Sequence, residues 1–171
     1  TGSSNVAVGT DTLQANTTGG SNIAIGDDAL KGNSTASFNI GIGATALQNN
    51  QTGTGNTAVG YQSLPSNTVS NNTALGFCSL HENTTGTQNV AVGAYALDAN
   101  TTASQNVAIG FDSLSISTTG TANTAVGFEA ARNSTTASSN TAIGFCALRT
   151  NTTGSQNTAM GICSLNANTT G

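Results

Sequence analysis

A short apolar word recurs along the chain, alternating with a small residue and stopping at glycine: Val6-Ala7-Val8-Gly9, Ile23-Ala24-Ile25-Gly26, Val90-Ala91-Val92-Gly93. Alternation over three or four residues closed by glycine predicts a short β-strand followed by a bend. An asparagine precedes the word each time, at Asn5, Asn22, Asn39, Asn56, Asn72, Asn89, Asn106, Asn123, Asn140 and Asn157. These asparagines lie 17 residues apart, except that Asn56 and Asn72 are separated by 16. Ten copies of one unit therefore make up the chain, and a short fixed period marks a solenoid or fibre.

Numbering the unit from its asparagine, position 4 is always aliphatic, from Val8 through Leu75 and Val92 to Met160, and position 9 is leucine in every unit but the one carrying Ala131. These two columns are the expected core. Position 5 is always glycine, and position 6 carries Tyr61, Phe77, Phe111, Phe128 and Phe145, a partial aromatic column expected to face a groove or partner. Helical solenoids need about 33 to 47 residues per repeat, so a 17-residue unit punctuated by glycine and Thr-Thr-Gly excludes a helix pair. Seventeen residues span roughly 56 Å of contour, enough for one small coil with two short strands, and ten coils ~4.8 Å apart make a rod roughly 48 Å long. The expected fold is all-β: a parallel β-solenoid of ten coils over 1–171, read as a segment of a longer array.

Stacking turns each repeated residue into a ladder. The asparagines are expected to pass amide hydrogen bonds along the axis, and the glycines to permit a bend that a Cβ would obstruct. The short unit, with the only proline at Pro65, keeps Asn72, Leu75, Gly76 and Leu80 in pattern. A lost residue inside a strand would flip every later side chain, so the deletion is expected in a corner among positions 10 to 17.

The words "NVAVG", "NIAIG", "NTAIG" and "NTAVG" resemble the head repeats of trimeric autotransporter adhesins, and "NTAVGYQSL" with "NTTG" is similar to the shaft repeats of phage and viral tail fibres. The resemblance implies a left-handed β-roll in an extracellular spacer or binding rod on a cell surface or virion, self-associating as a homotrimer or end-to-end filament, with a surface receptor as partner if the rod is an adhesin.

Charged residues are 6% of the chain, aromatics 4%, and the formal charge is -4. Three cations, Lys31, Arg132 and Arg149, are too few to bind a nucleic-acid backbone. No apolar run approaches ~18 residues, so no spanning helix is expected. His81, the single histidine, stands at position 10 among residues of solvated type, and no triad can be assembled around it; no catalytic residue, metal or cofactor is assigned. Asp11 with Asp28, and Asp112 with Glu129, share position 7 in adjoining coils, but two carboxylates fall far short of the six to eight oxygens calcium takes. Cys78, Cys146 and Cys163 also share position 7. Stacked ~4.8 Å apart, Cys146 and Cys163 either bridge or remain free thiols. At position 12, Asn16, Asn33, Asn50, Asn83, Asn100, Asn151 and Asn168 each head an Asn-x-Ser/Thr sequon, as Asn71 and Asn133 do off register. Falling in the tolerant corner, these are candidate N-glycosylation sites. The function expected is a structural fibre shaft, glycan-coated at that corner; the alternative is a binding surface, as an adhesin or, ranked lower, an ice-binding face.

Overall fold

The computed structural model describes residues 2–171. Ten three-residue strands, β1 (Val6–Val8), β2 (Ile23–Ile25), β3 (Ile40–Ile42), β4 (Thr57–Val59), β5 (Thr73–Leu75), β6 (Val90–Val92), β7 (Val107–Ile109), β8 (Thr124–Val126), β9 (Thr141–Ile143) and β10 (Thr158–Met160), form one parallel sheet in chain order. Repeat equivalents pair directly, Val6 with Ile23 and Val107 with Thr124, and the described residues contain no helix. The chain is a parallel β-solenoid of stacked coils of about 17 residues.

Each coil carries one strand rather than the expected two. The glycine after it has φ near +135°, and positions 7, 9 and 17 are left-handed, as at Asp112 (φ 56°), Leu114 (φ 50°) and Gln105 (φ 64°). The left-handed turn at position 9 has a packing reason. In an extended strand neighbouring side chains point to opposite faces, yet Ala96 and Leu97, Ala29 and Leu30 are all fully buried. The kink turns both inward. A left-handed leucine costs roughly 1–2 kcal/mol, which burying its side chain, at about 1.5–3 kcal/mol, offsets.

The core corrects one expected column. Leucines at position 9 are fully buried from Leu30 to Leu114, but the second buried column is position 3, the alanines Ala24, Ala58, Ala74, Ala91, Ala108, Ala125 and Ala142. The aliphatic residues of position 4 point outward, with Val8 57% and Leu75 45% exposed. The coil is too narrow for branched side chains on both sides of its leucine: a Cβ built on Gly41, at position 3, already approaches Leu30 Cγ to 3.2 Å.

Polar ladders fill the rest of the interior. At each of nine junctions the backbone N–H of the position 1 asparagine donates to the Oδ1 of its equivalent one coil earlier, at 2.9–3.0 Å. Its Nδ2 crosses the coil to the position 15 carbonyl, as from Asn89 to Ala103 at 2.8 Å. The position 12 asparagines reach the same carbonyl and the preceding Oδ1, Asn100 donating to Ala103 at 3.1 Å and to Asn83 at 2.8 Å. The expected asparagine ladder is present, and the amides run it largely through backbone partners. Buried amides left unpaired would be expensive; here, Asn157 Nδ2 in the last coil aside, they satisfy backbone that a turn-rich coil would otherwise strand.

Two coils break the second ladder. Ser117 and Ser134 replace asparagine at position 12, are fully buried, and their hydroxyls lack a hydrogen-bond partner among the described residues, as does Asn100 Oδ1. Ser117→Asn with Ser134→Asn restores amides whose partners, Gly120 O and Ala137 O, already hold the ladder geometry. At about 0.5–1.5 kcal/mol net per hydrogen bond, the double variant is expected to gain about 1–3 kcal/mol. A thermal melt checks it through a higher midpoint.

The short coil drops its residue at the corner, as expected. Its strand pairs in register, Thr57 with Thr73, and Leu64 N–H still donates to Ser79 O. Val69 O replaces the position 15 carbonyl, accepting from Asn56 and from Asn67 at 2.7 Å each. The missing residue therefore lies between positions 12 and 15. Pro65 is tolerated at position 10, where the N–H of other coils makes only a local bond within the turn, as from Lys31 to Asp28.

Candidate functional site

Because alanine, or Gly41 in β3, takes the inside of each strand, positions 2 and 4 project a row of aliphatic and threonine side chains from the ten-stranded sheet. Glycine follows, and the column from Gly9 to Gly161 forms a strip without side chains. Its backbone is fully used: Gly110 N–H donates to Val92 O at 2.7 Å, and Gly110 O accepts from Ser113 Oγ at 3.0 Å. This glycine strip lies at the bend between the strand face and the aromatic ridge.

The aromatic ridge is more continuous than its column in the sequence. Tyr61, Phe77, Tyr95, Phe111, Phe128 and Phe145 make one ladder with ring centroids 5.1–5.9 Å apart. Tyr95, a position 7 residue, steps into the gap left by Ala94. It meets its neighbours edge-on, at 70° and 83°, where the in-column contacts Tyr61–Phe77, Phe111–Phe128 and Phe128–Phe145 stack within 20°. Offset stacks and edge contacts at this spacing are favourable for aromatic pairs. All six rings stay more than a third exposed, so the column faces outward rather than into a packed interior.

Charge collects beside the ridge, at positions 7 and 10. Lys31 Nζ lies 3.1 Å from Asp11 and 3.0 Å from Asp28, and Asp28, then Asp11, hold its pKa above the ordinary value. Arg132 pairs with Asp112 and Arg149 with Glu129. Each cation thus pairs with a position 7 carboxylate of the preceding coil, and Lys31 bridges the stacked Asp11 and Asp28. Around His81, which contacts Glu82 at 2.9 Å, no lysine or arginine among the described residues pairs with Glu82 or Asp98. Burial, then Glu82 and Asp112, raise the Asp98 carboxyl against a lowering by His81.

Cys146 and Cys163 occupy equivalent positions of adjoining coils, and Cys78 stands apart; all three thiols are free. Burial foremost, then Glu129, raises the Cys146 thiol, and burial followed by Asp98 raises Cys78. Both are thereby kept protonated and poorly nucleophilic.

The candidate glycosylation sites need correction. Asn33, Asn50, Asn83, Asn100 and Asn151 are fully buried, and each Nδ2 donates inward to a position 15 carbonyl at 2.7–3.1 Å. A sugar on that nitrogen has no room inside the coil. Asn16 and Asn168, in the end coils, are half-buried in the same ladder. Of the off-register sequons, Asn71 is exposed and Asn133 half-exposed. The sequence did carry a sign of this: position 12 admits only asparagine or serine in all ten units, while position 10 varies freely, as an interior polar site beside a solvated one would.

No protein-family model, curated protein or solved structure matches the chain.

Proposed function

We propose that the chain is the structural rod of an extracellular fibre or filament shaft. One observation carries the reading: the same parallel strand pairing and the same position 1 asparagine hydrogen bond recur at all nine coil junctions, so rod length is set by copy number. Further coils extend the shaft without a new design, and self-association end to end would use the same strand edges. A glycan coat on this fold would use Asn71 and Asn133 rather than the buried position 12 amides. The adhesin reading draws on the exposed aromatic ladder as a receptor-binding strip. Ice binding gains no support from the Thr-Thr corners, since position 13 hydroxyls turn back to the next coil, as from Thr84 to Thr101 O at 3.1 Å.

Electron microscopy of native material, with mass spectrometry of its asparagines, tests the proposal. Unbranched rods lengthening by ~4.8 Å per coil are expected, with any sugar on Asn71 or Asn133. Compact particles would overturn the shaft.

A further inference from the structure

Position 7 stacks ionisable groups of one kind at three coil junctions. At two of them the groups are carboxylates, and cations answer them: Lys31 bridges Asp11 and Asp28, while Arg132 and Arg149 pair with Asp112 and Glu129. The third junction stacks Cys146 on Cys163, both as free thiols. The backbone holds the two in one register. Thr141 pairs with Thr158 in β9 and β10, and five residues further on Cys146 N–H donates to Phe128 O at 2.9 Å and Cys163 N–H to Phe145 O at 2.8 Å. Both cysteines are left-handed, at φ 53° and φ 51°. Two residues of the same conformation one rung apart have Cα atoms ~4.8 Å apart and Cβ atoms pointing the same way. That separation lies inside the range of about 4.4–6.8 Å that a disulfide spans. Burial first, then Glu129, then Cys163 raise the Cys146 thiol, so the neighbouring sulfur is within electrostatic reach of it. Cys78 is out of range, four coils and ~19 Å from Cys146 along the axis.

We propose that Cys146 and Cys163 are a dithiol that closes into a disulfide stapling the ninth coil to the tenth, with a small organic disulfide as the oxidant. Cys163 is exposed and meets the oxidant first. Its thiol loses a proton, and the sulfur attacks one sulfur of the small disulfide. The S–S bond breaks, one small thiol leaves carrying that proton, and Cys163 is held as a mixed disulfide. Cys146, buried and a poor nucleophile toward solvent, then attacks Cys163 Sγ from one rung away, where proximity replaces intrinsic reactivity. The second small thiol leaves with the Cys146 proton. Two protein thiols are thereby oxidised to one disulfide, and one small disulfide is reduced to two thiols. Such a bridge persists in oxidising surroundings outside the cell. The closure itself is a property of the isolated chain and is independent of the shaft reading.

Oxidised glutathione added to the dilute, folded 171-residue chain tests the staple, with thiols counted after denaturation and cross-linked peptides mapped by mass spectrometry. Three free thiols are expected to fall to one, Cys78, with Cys146 joined to Cys163 within a single chain. Leu148 N–H donates to Ser164 O across the same junction at 2.9 Å, and its amide exchange should slow at least tenfold on oxidation. A cross-link closing a loop of this size is worth roughly a hundredfold in the folding equilibrium. Leu30 N–H, which donates to Ala46 O at a distant junction, should exchange as before. Cys163→Ser, with unchanged circular dichroism, should abolish the cross-link and the added protection together. Three thiols remaining after oxidation, stable glutathione adducts in place of the cross-link, a bridge that uses Cys78 or a second chain, or a bridge without added protection at Leu148 would each overturn the staple.

Discussion

Leu97→Asn is expected to unravel the solenoid around the sixth coil. Leu97 is fully buried in the continuous leucine column, and its replacement removes that packing while placing an amide among Ala91, Ala96 and neighbouring leucines. The loss is about 2–5 kcal/mol for the leucine, with about 1–3 kcal/mol more for an unpaired amide. The backbone works in the opposite direction: Leu97 has φ 53°, which asparagine tolerates better than leucine. Any destabilisation therefore reports the core and not the turn. Val92→Asn, on the outward position 4, is the control and should cost far less. Denaturant unfolding of both variants checks the order. Equal losses would place position 4 back in the core.

Gly110→Ala should be as damaging for a backbone reason. Gly110 has φ +134°, a region side chains rarely adopt, and an added Cβ would lie 2.3 Å from Gly127 O and 2.6 Å from its carbonyl carbon. Both contacts are with main chain of the next coil, so no side chain can move aside. Strain of this kind costs about 1–3 kcal/mol, and the clash adds to it by forcing two coils apart. Gly161→Ala separates the contributions: that glycine has φ +112° with nothing within 4 Å of an added Cβ, so it carries strain alone. Amide hydrogen exchange is the readout. Gly110→Ala should abolish protection at Gly127, whose N–H donates to Ile109 O at 2.7 Å, and Gly161→Ala should leave it.

The two variants mark what the sequence does and does not disclose. Period, strand, glycine bend and leucine column are legible because each is a residue type locked to one position of a repeat. The inside of the strand is not. Val-Ala-Val alternates whichever face is buried, and hydrophobicity alone chooses the valines. Only the width of a 17-residue coil, already occupied by leucine, assigns the interior to alanine. The lack of a second strand is hidden for a related reason: left-handed residues at positions 7 and 9 leave no mark on composition, since aspartate, cysteine and leucine all occur there. The aromatic ladder is partly legible, but Tyr95 joins it from position 7, and a column of one repeat position does not show a ring reaching across from the next. The sequons misled because Asn-x-Thr is both a glycosylation signal and the spelling of a buried amide followed by a corner. The amide's partners, Ala103 O for Asn100 among them, exist only once the coil has closed.

The claim on which everything else rests is that one coil adds one rung. Spin labels on cysteines introduced at the exposed corner residues Thr35, Thr119 and Thr153, with Cys78, Cys146 and Cys163 replaced by serine, measure it directly by dipolar spectroscopy of labelled chain diluted into unlabelled chain. Thr35 and Thr119 are five coils apart, and Thr35 and Thr153 seven. At ~4.8 Å per coil the two distances should centre near ~24 Å and ~34 Å, each as a narrow distribution. Distances that are broad, or that fail to grow by ~4.8 Å for each added coil, would contradict the stacked solenoid.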